Sequence, residues 1–220
     1  ELIEEIRKRV GKKLDINKMI IIMPRRIADQ KGFDRVIPIM PKCMKECKIQ
    51  FIALGISHPN DQLGHQIANQ FKDLHNKYKE MAFIYDFDEE LAKKMYAGGD
   101  AILYPSLPNK EPCGTGYMMA MVNGTPCIGT ATGGLIEVIE NFDWVSKEGN
   151  GILIWKEEYG SEAFMRKIRI ASKLYYEYKE IWKELVWNAF KTNVDINEIA
   201  KIYVKKVYIP LIKGNYKISL

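Results

Sequence analysis

The sequence has no long apolar run. Its apolar runs, such as Met19 to Met23, fall far short of the ~20 residues that a bilayer crossing requires, and the opening ELIEEIRKRV lacks the apolar centre of a signal peptide. A cytoplasmic protein with no membrane partner is the expectation. Cysteine is also sparse. Cys43, Cys47, Cys113 and Cys127 form no CxxC pair and have no His at finger spacing, so they support neither a zinc site nor a disulfide framework. They read as reduced thiols, with Cys43 and Cys47 packing on one helix face. Charge of a single sign is missing too. The 33 Lys and Arg are interspersed with 28 Asp and Glu for a net +5, which gives no argument for a nucleic-acid partner and points instead to a local anion site. Two phosphate signatures are absent: no GxxxxGK[ST] occurs, and no GxGxxG follows a strand.

What is present, 220 residues with 47% hydrophobic and 28% charged content, describes a compact domain with a sizeable core. The chain begins with Glu rather than Met, as a piece of a longer protein would. An amphipathic opening helix precedes MIIIM at 19–23, a short apolar run read as a buried strand. Helical spacing follows at 33–47, with Pro38 and Pro41 expected to kink or shorten it. The alternation then continues: strand in the 50s, helix 61–78, strand MAFIYD, helix 88–98, strand AILYP, helix 114–123, strand PCIGT, helix Gly134 to Glu140, strand 151–155. Such βα units imply a doubly wound, mostly parallel, Rossmann-like α/β sheet. From 158 onward only helical periods remain, which predicts a helical C-terminal appendage.

Ligands of such sheets bind beyond the carboxyl ends of the strands, and three loops at that edge carry unusual residues. The first, Pro24 to Gly32, places Arg25, Arg26 and Lys31 directly after a buried strand, with Gly32 opening a helix. Guanidinium forks, an ammonium and free helix amides suit phosphate, although a solvated basic turn would read the same. In the second, Glu111 precedes Gly114-Thr115-Gly116 at the start of an apolar helix; amides there could cradle phosphate while Glu111 engages sugar hydroxyls. The third is Thr130 to Gly134, again a turn of small residues before a helix. Each alone could be structural, but three on one edge are harder to dismiss.

RRIADQKGFD at 25–34, MYAGGDAILYPS at 95–106 and EPCGTGYMMAMVNGTPCIGTATGGL at 111–135 resemble the C-terminal lobe of retaining GT-B glycosyltransferases of the glycogen and starch synthase type, over roughly residues 16 to 208. The resemblance implies a glucosyltransferase that moves glucose from ADP-glucose or UDP-glucose to an α-1,4-glucan, the acceptor sitting partly on a second lobe. It implies that Arg26, Lys31, Gly114, Thr115 and Gly116 hold the diphosphate, that Glu111 contacts the donor hexose, and that Cys113, Thr132, Gly133 and Gly134 join the donor site. Phe87 stands where such synthases often stack a Tyr on the base. Glu137 could accept from the ribose, or serve only as a helix N-terminal charge. Catalysis would fall to Glu111, Arg26 and Lys31, without a metal. A second Glu of an E-x7-E pattern would fall at Met119, so that arrangement is absent.

The chain is also similar to α-glucan phosphorylases in RRIADQK, in Gly55 to Asp61 and in IAKIYVKKVYIPL. Their pyridoxal phosphate lysine aligns with Met119, and a second lysine with Ile56. A thioether cannot form an imine, so no pyridoxal phosphate is expected, and the sugar nucleotide is favoured over a phosphorylase-related lobe or a non-catalytic nucleotide-binding module. Residues 1–14 are read as a linker helix from another lobe, 15–194 as the donor-binding domain, and 195–220 as a helix and tail packing toward that lobe and leaving an apolar patch. His58 and His65 read as surface or turn residues, with His58 a second candidate contact of the site; His75 reads as solvated, and Trp155, Trp182 and Trp187 as core.

Overall fold

A computed structural model describes residues 1–112 and 114–214. Six strands follow one another as parallel neighbours: β1 (Met19–Pro24), β2 (Ile49–Leu54), β3 (Met81–Ile84), β4 (Ala101–Tyr104), β5 (Cys127–Thr130) and β6 (Gly151–Ile154), in the spatial order β3-β2-β1-β4-β5-β6. Every position of every strand is buried, which explains why they read as continuous apolar runs rather than alternating ones. In β1 the alternation is internal: Met19, Ile21 and Met23 join one core layer, and Ile20 and Ile22 join the other.

The first layer packs α2 (Met40–Glu46), α3 (Gln62–Lys77), α7 (Ser161–Glu177) and α8 (Lys179–Phe190) against the sheet. The second carries α1 (Leu2–Val10), α4 (Glu89–Gly98), α5 (Gly116–Met121) and α6 (Leu135–Val138). Pro38 and Pro41 act as their chemistry dictates. The helical stretch at 33–47 breaks into 3₁₀ turns at Phe33–Arg35 and Ile37–Ile39, and regular helix starts only at Met40. No α-helix therefore opens at Gly32, contrary to the sequence reading; Gly32 instead takes φ +67° between two 3₁₀ turns.

Asp88 caps α4 by accepting from the Leu91 amide at 2.8 Å, and its other oxygen receives Arg9 of α1 at 2.6 Å. Glu5 of α1 pairs with Arg9 and with Lys94 of α4. The opening helix is thus both packed on the sheet through Leu2 and Ile6 and tied to α4 by charge. After α8, α9 (Ile196–Tyr203), one π-helical turn and α10 (Ile209–Ile212) carry no buried residue. Ile196, Ile199, Ile202, Tyr203, Tyr208 and Ile212 are exposed there. The tail at 215–220 lies outside the described residues.

Two sequence readings are corrected. His75 is half-buried rather than solvated: its Nδ1 accepts the Phe83 amide of β3 at 3.1 Å. Trp182 lies in the core, but Trp155 and Trp187 are exposed because each falls on the outward side of its segment. Cys43, Cys47 and Cys127 are buried free thiols. Among the described residues no helix is long and apolar enough to cross a membrane, and no group of three or more His, Cys, Asp or Glu could hold a metal ion.

Candidate functional site

Strand order reverses between β1 and β4, so the loops that leave these two neighbours diverge and open a crevice at the carboxyl edge. The β1 loop bears Arg25, Arg26 and Lys31, and the β4 loop bears Ser106, Glu111 and the glycine turn. The two loops are stitched together. The Leu107 amide donates to the Gln30 carbonyl at 3.0 Å, and Lys110 meets Asp29 at 3.0 Å. Gly32 lies so close beneath that a Cβ would stand 1.8 Å from the Pro105 carbonyl oxygen, and no other residue fits there.

Glu111 is the centre of this junction. Its side chain is 3% exposed, and one oxygen, Oε2, takes both the Lys31 ammonium and, at 3.5 Å, Nη2 of Arg25. Arg25 is itself buried. Its guanidinium lies 3.6 Å from the centroid of the Tyr104 ring, and Nη2 donates to Ser106 Oγ at 3.1 Å. Burial holds both cations below their ordinary ranges, with the Glu111 carboxylate working in the opposite direction on each. A carboxylate this deep stays in place only with paired charge, which the two cations supply.

Beside this junction a cleft of about 500 Å³ is lined by Arg25, Arg26, Gly55, Ile56, Phe87, Tyr96 and Thr115, with Asp86, Asp88 and Glu89 at its rim. Phe87 is 73% exposed and presents a free ring face. Arg26 is exposed, and so is Thr115, the residue before α5. Gly114 rests on Tyr104, and Gly116 lies close to the Tyr96 hydroxyl. The structure therefore brings Arg26, Phe87 and Thr115 into one cleft and Lys31 and Glu111 into contact at its side. Arg25 belongs to both groups. Cys113 lies outside the described residues.

The third loop takes a different place. Gly133, at φ +52°, and Gly134 pack behind the Glu111 segment, where the Gly134 amide donates to the Pro112 carbonyl at 3.1 Å and Thr132 Oγ1 accepts from the Asn109 amide at 3.1 Å. Thr132 and Gly133 line a separate hollow with Trp155. Glu137 is exposed on a groove shared with Lys147 and Asn188, away from the cleft. His58 points to solvent, its Nδ1 accepting from the Asn60 amide, and does not line the cleft. His65 lies in the first turn of α3 rather than in a loop, half-buried, with its ring nitrogens on Ser57 Oγ and the Pro59 carbonyl, each at 3.0 Å.

Arg25 was read with Arg26 as a phosphate-binding guanidinium, whereas it turns inward onto Tyr104; neither Tyr104 nor Ser106 was singled out from the sequence. The available signal was the Arg-Arg doublet directly after a strand buried at every position: successive residues leaving a strand point to opposite sides, so one of the two had to turn inward.

The profile of the family "Glycosyl transferases group 1" matches residues 3–185. A glycogen synthase of Mycoplasma mobile is 35% identical over 211 residues, covering 94% of this chain and 42% of that protein. Another, from Alkaliphilus metalliredigens, is 36% identical over 201 residues, covering 91% and 40%. The chain thus spans about two fifths of the length of these curated relatives. Among solved structures, the catalytic domain of starch synthase IV from Arabidopsis thaliana, bound to ADP and acarbose, superposes with a TM-score of 0.77 at 23% identity, covering 96% of this chain and 42% of that one. HepE of Anabaena, in complex with UDP, gives a TM-score of 0.69 at 20% identity, covering 94% and 52%. Both likenesses establish the fold: the six-stranded parallel sheet is that of one GT-B lobe.

Proposed function

The chain belongs to the group 1 glycosyl transferases, and on that premise we propose that it is the donor-binding lobe of a retaining glucosyltransferase of the glycogen or starch synthase kind. The reaction would move glucose from ADP-glucose or UDP-glucose to the end of an α-1,4-glucan. The observation that carries this reading is the junction of Lys31 with Glu111 beside a cleft that also holds Arg26, Thr115 and Phe87. As the glycosidic bond breaks, negative charge accumulates on the departing diphosphate. Arg26, the Lys31 ammonium and the amides of the Gly114 to Gly116 turn would stabilise that charge more than they stabilise the bound donor, which is what lowers a barrier. Phe87 would stack on the base, and Glu111 would fix the hexose through its hydroxyls.

Glu111 is the one carboxylate in contact with the Lys31 and Arg25 cations among the described residues, so a glycosidase pair with a second carboxyl beside it is not what this junction offers. Met119 stands on α5 where a phosphorylase would carry its cofactor lysine, and it offers no amine for a Schiff base. The glucan would be gripped between this lobe and another, against which the exposed apolar residues of α9 and α10 would pack.

The test is a calorimetric titration of the purified protein with ADP, UDP, their glucose esters and glucose 1-phosphate. Binding of at least one nucleoside diphosphate is expected, with Arg26→Ala and Lys31→Ala each weakening it by about tenfold or more, the worth of a charge-assisted contact. Tight binding of glucose 1-phosphate with indifference to nucleosides would favour a phosphorylase-like site and overturn the proposal.

A further inference from the structure

Among the described residues, the buried side-chain atoms without a hydrogen-bond partner are Nε and Nη1 of Arg25 and Oγ1 of Thr130. A guanidinium that leaves two donors idle is an expensive thing to bury, and a protein keeps one only where its remaining contacts matter. The contacts of Arg25 are few and specific: the Tyr104 ring face, Ser106 Oγ and Glu111 Oε2. The other groups whose charge it senses, Tyr96, Tyr104 and Cys127, are all pushed up by burial and stay neutral near pH 7. Glu111 is therefore its counter-ion.

Two cations thus meet the same oxygen of one carboxylate, and they differ in what they can do next. The Lys31 side chain is 12% exposed and ends in a compact ammonium with three donors on a flexible stem. The Arg25 side chain is 5% exposed, stacked on one aromatic face and anchored to Ser106. We infer that Arg25 is a positioning residue of the donor site: it holds Glu111 in place through Oε2 while Lys31 turns its ammonium to the diphosphate, leaving Oε1 for the hexose. The inference rests on the donor reading above. Without Arg25, Glu111 would follow the Lys31 ammonium as it turned to the diphosphate, so the diphosphate would keep its cation while the hexose lost its fixed acceptor.

This predicts a split between the two halves of the donor. In calorimetry on the purified protein, with the nucleoside diphosphate and the glucose ester that the wild type binds, Arg25→Met leaves the Kd of the diphosphate within about threefold but weakens the glucose ester by about tenfold or more. Arg25→Lys, which keeps the charge and loses the fork, recovers part of that loss. Lys31→Met weakens both ligands. Equal loss of both ligands in Arg25→Met, or loss of neither, overturns the inference. If Arg25→Met does not fold, Ser106→Ala removes only the 3.1 Å anchor, and a smaller loss confined to the glucose ester is expected; a loss shared equally with the diphosphate overturns it. A wild type that binds no nucleotide would instead defeat the donor reading itself, before any variant is compared.

Discussion

Gly114 sits on the Tyr104 hydroxyl: a Cβ at position 114 would stand 2.2 Å from the phenolic oxygen and 2.9 Å from two ring carbons. The ring that carries the Arg25 guanidinium on its face therefore also sets the height of the glycine turn. Gly114→Ala must lift the turn away from the cleft, and nucleotide affinity should fall by about tenfold or more as the amides lose their aim. Adding Tyr104→Phe removes the worst contact and should restore part of that affinity in the double variant. Calorimetry on the single and double variants decides it; a double variant no better than Gly114→Ala would show that the hydroxyl is not what fixes the turn.

Gly133 does for the Glu111 backbone what Tyr104 does for the turn. At φ +52° its missing Cβ would lie 2.3 Å from the Glu111 carbonyl oxygen and 2.5 Å from that of Pro112. Gly133→Ala combines left-handed strain with two backbone clashes and should cost at least about 2 kcal/mol in chemical denaturation. Because the displaced segment carries Glu111, binding of a glucose ester should weaken alongside stability. Wild-type stability in Gly133→Ala would mean that the loop relaxes freely and that the third loop does not buttress the site.

His75 gives the fold a pH dependence of known sign. Burial, with the Lys12 ammonium nearby, holds its imidazole below the ordinary histidine range, and the neutral ring accepts the Phe83 amide. A histidine whose folded pKa is depressed stabilises the protein above its unfolded value of 6.5 and loses that contribution as pH falls toward the folded one. Denaturation midpoints should therefore rise with pH through the window just below 6.5, and His75→Leu should flatten that rise while lowering stability throughout. An unchanged slope in His75→Leu would assign the dependence to another group.

Much of the fold was legible because the strands are short, wholly apolar and separated by helical periods, a pattern with few topological solutions. The site was legible in part. Lys31, Glu111 and Gly114 belong to motifs whose chemistry shows in the letters, and the loops that carry them leave adjacent strands. Arg25 was not, because two adjacent arginines look alike until the backbone sends one inward to Tyr104 and the other out to the cleft. Gly133 was read as part of the donor site, yet its smallness serves the approach of the Glu111 and Pro112 carbonyls, a requirement set by neighbours distant in sequence. His75 was misjudged for the same reason. A polar residue on a helix looks solvated unless the strand amide that needs it is known.

The bond between Arg9 and Asp88 ties the first helix to the rim of the cleft, because Asp88 both follows Phe87 and caps α4. Any swing of α1 must break a 2.6 Å contact or drag the start of α4, and with it the aromatic face, along the same arc. A motion of α1 would thus reach the Phe87 end of the cleft as a lever reaches its load.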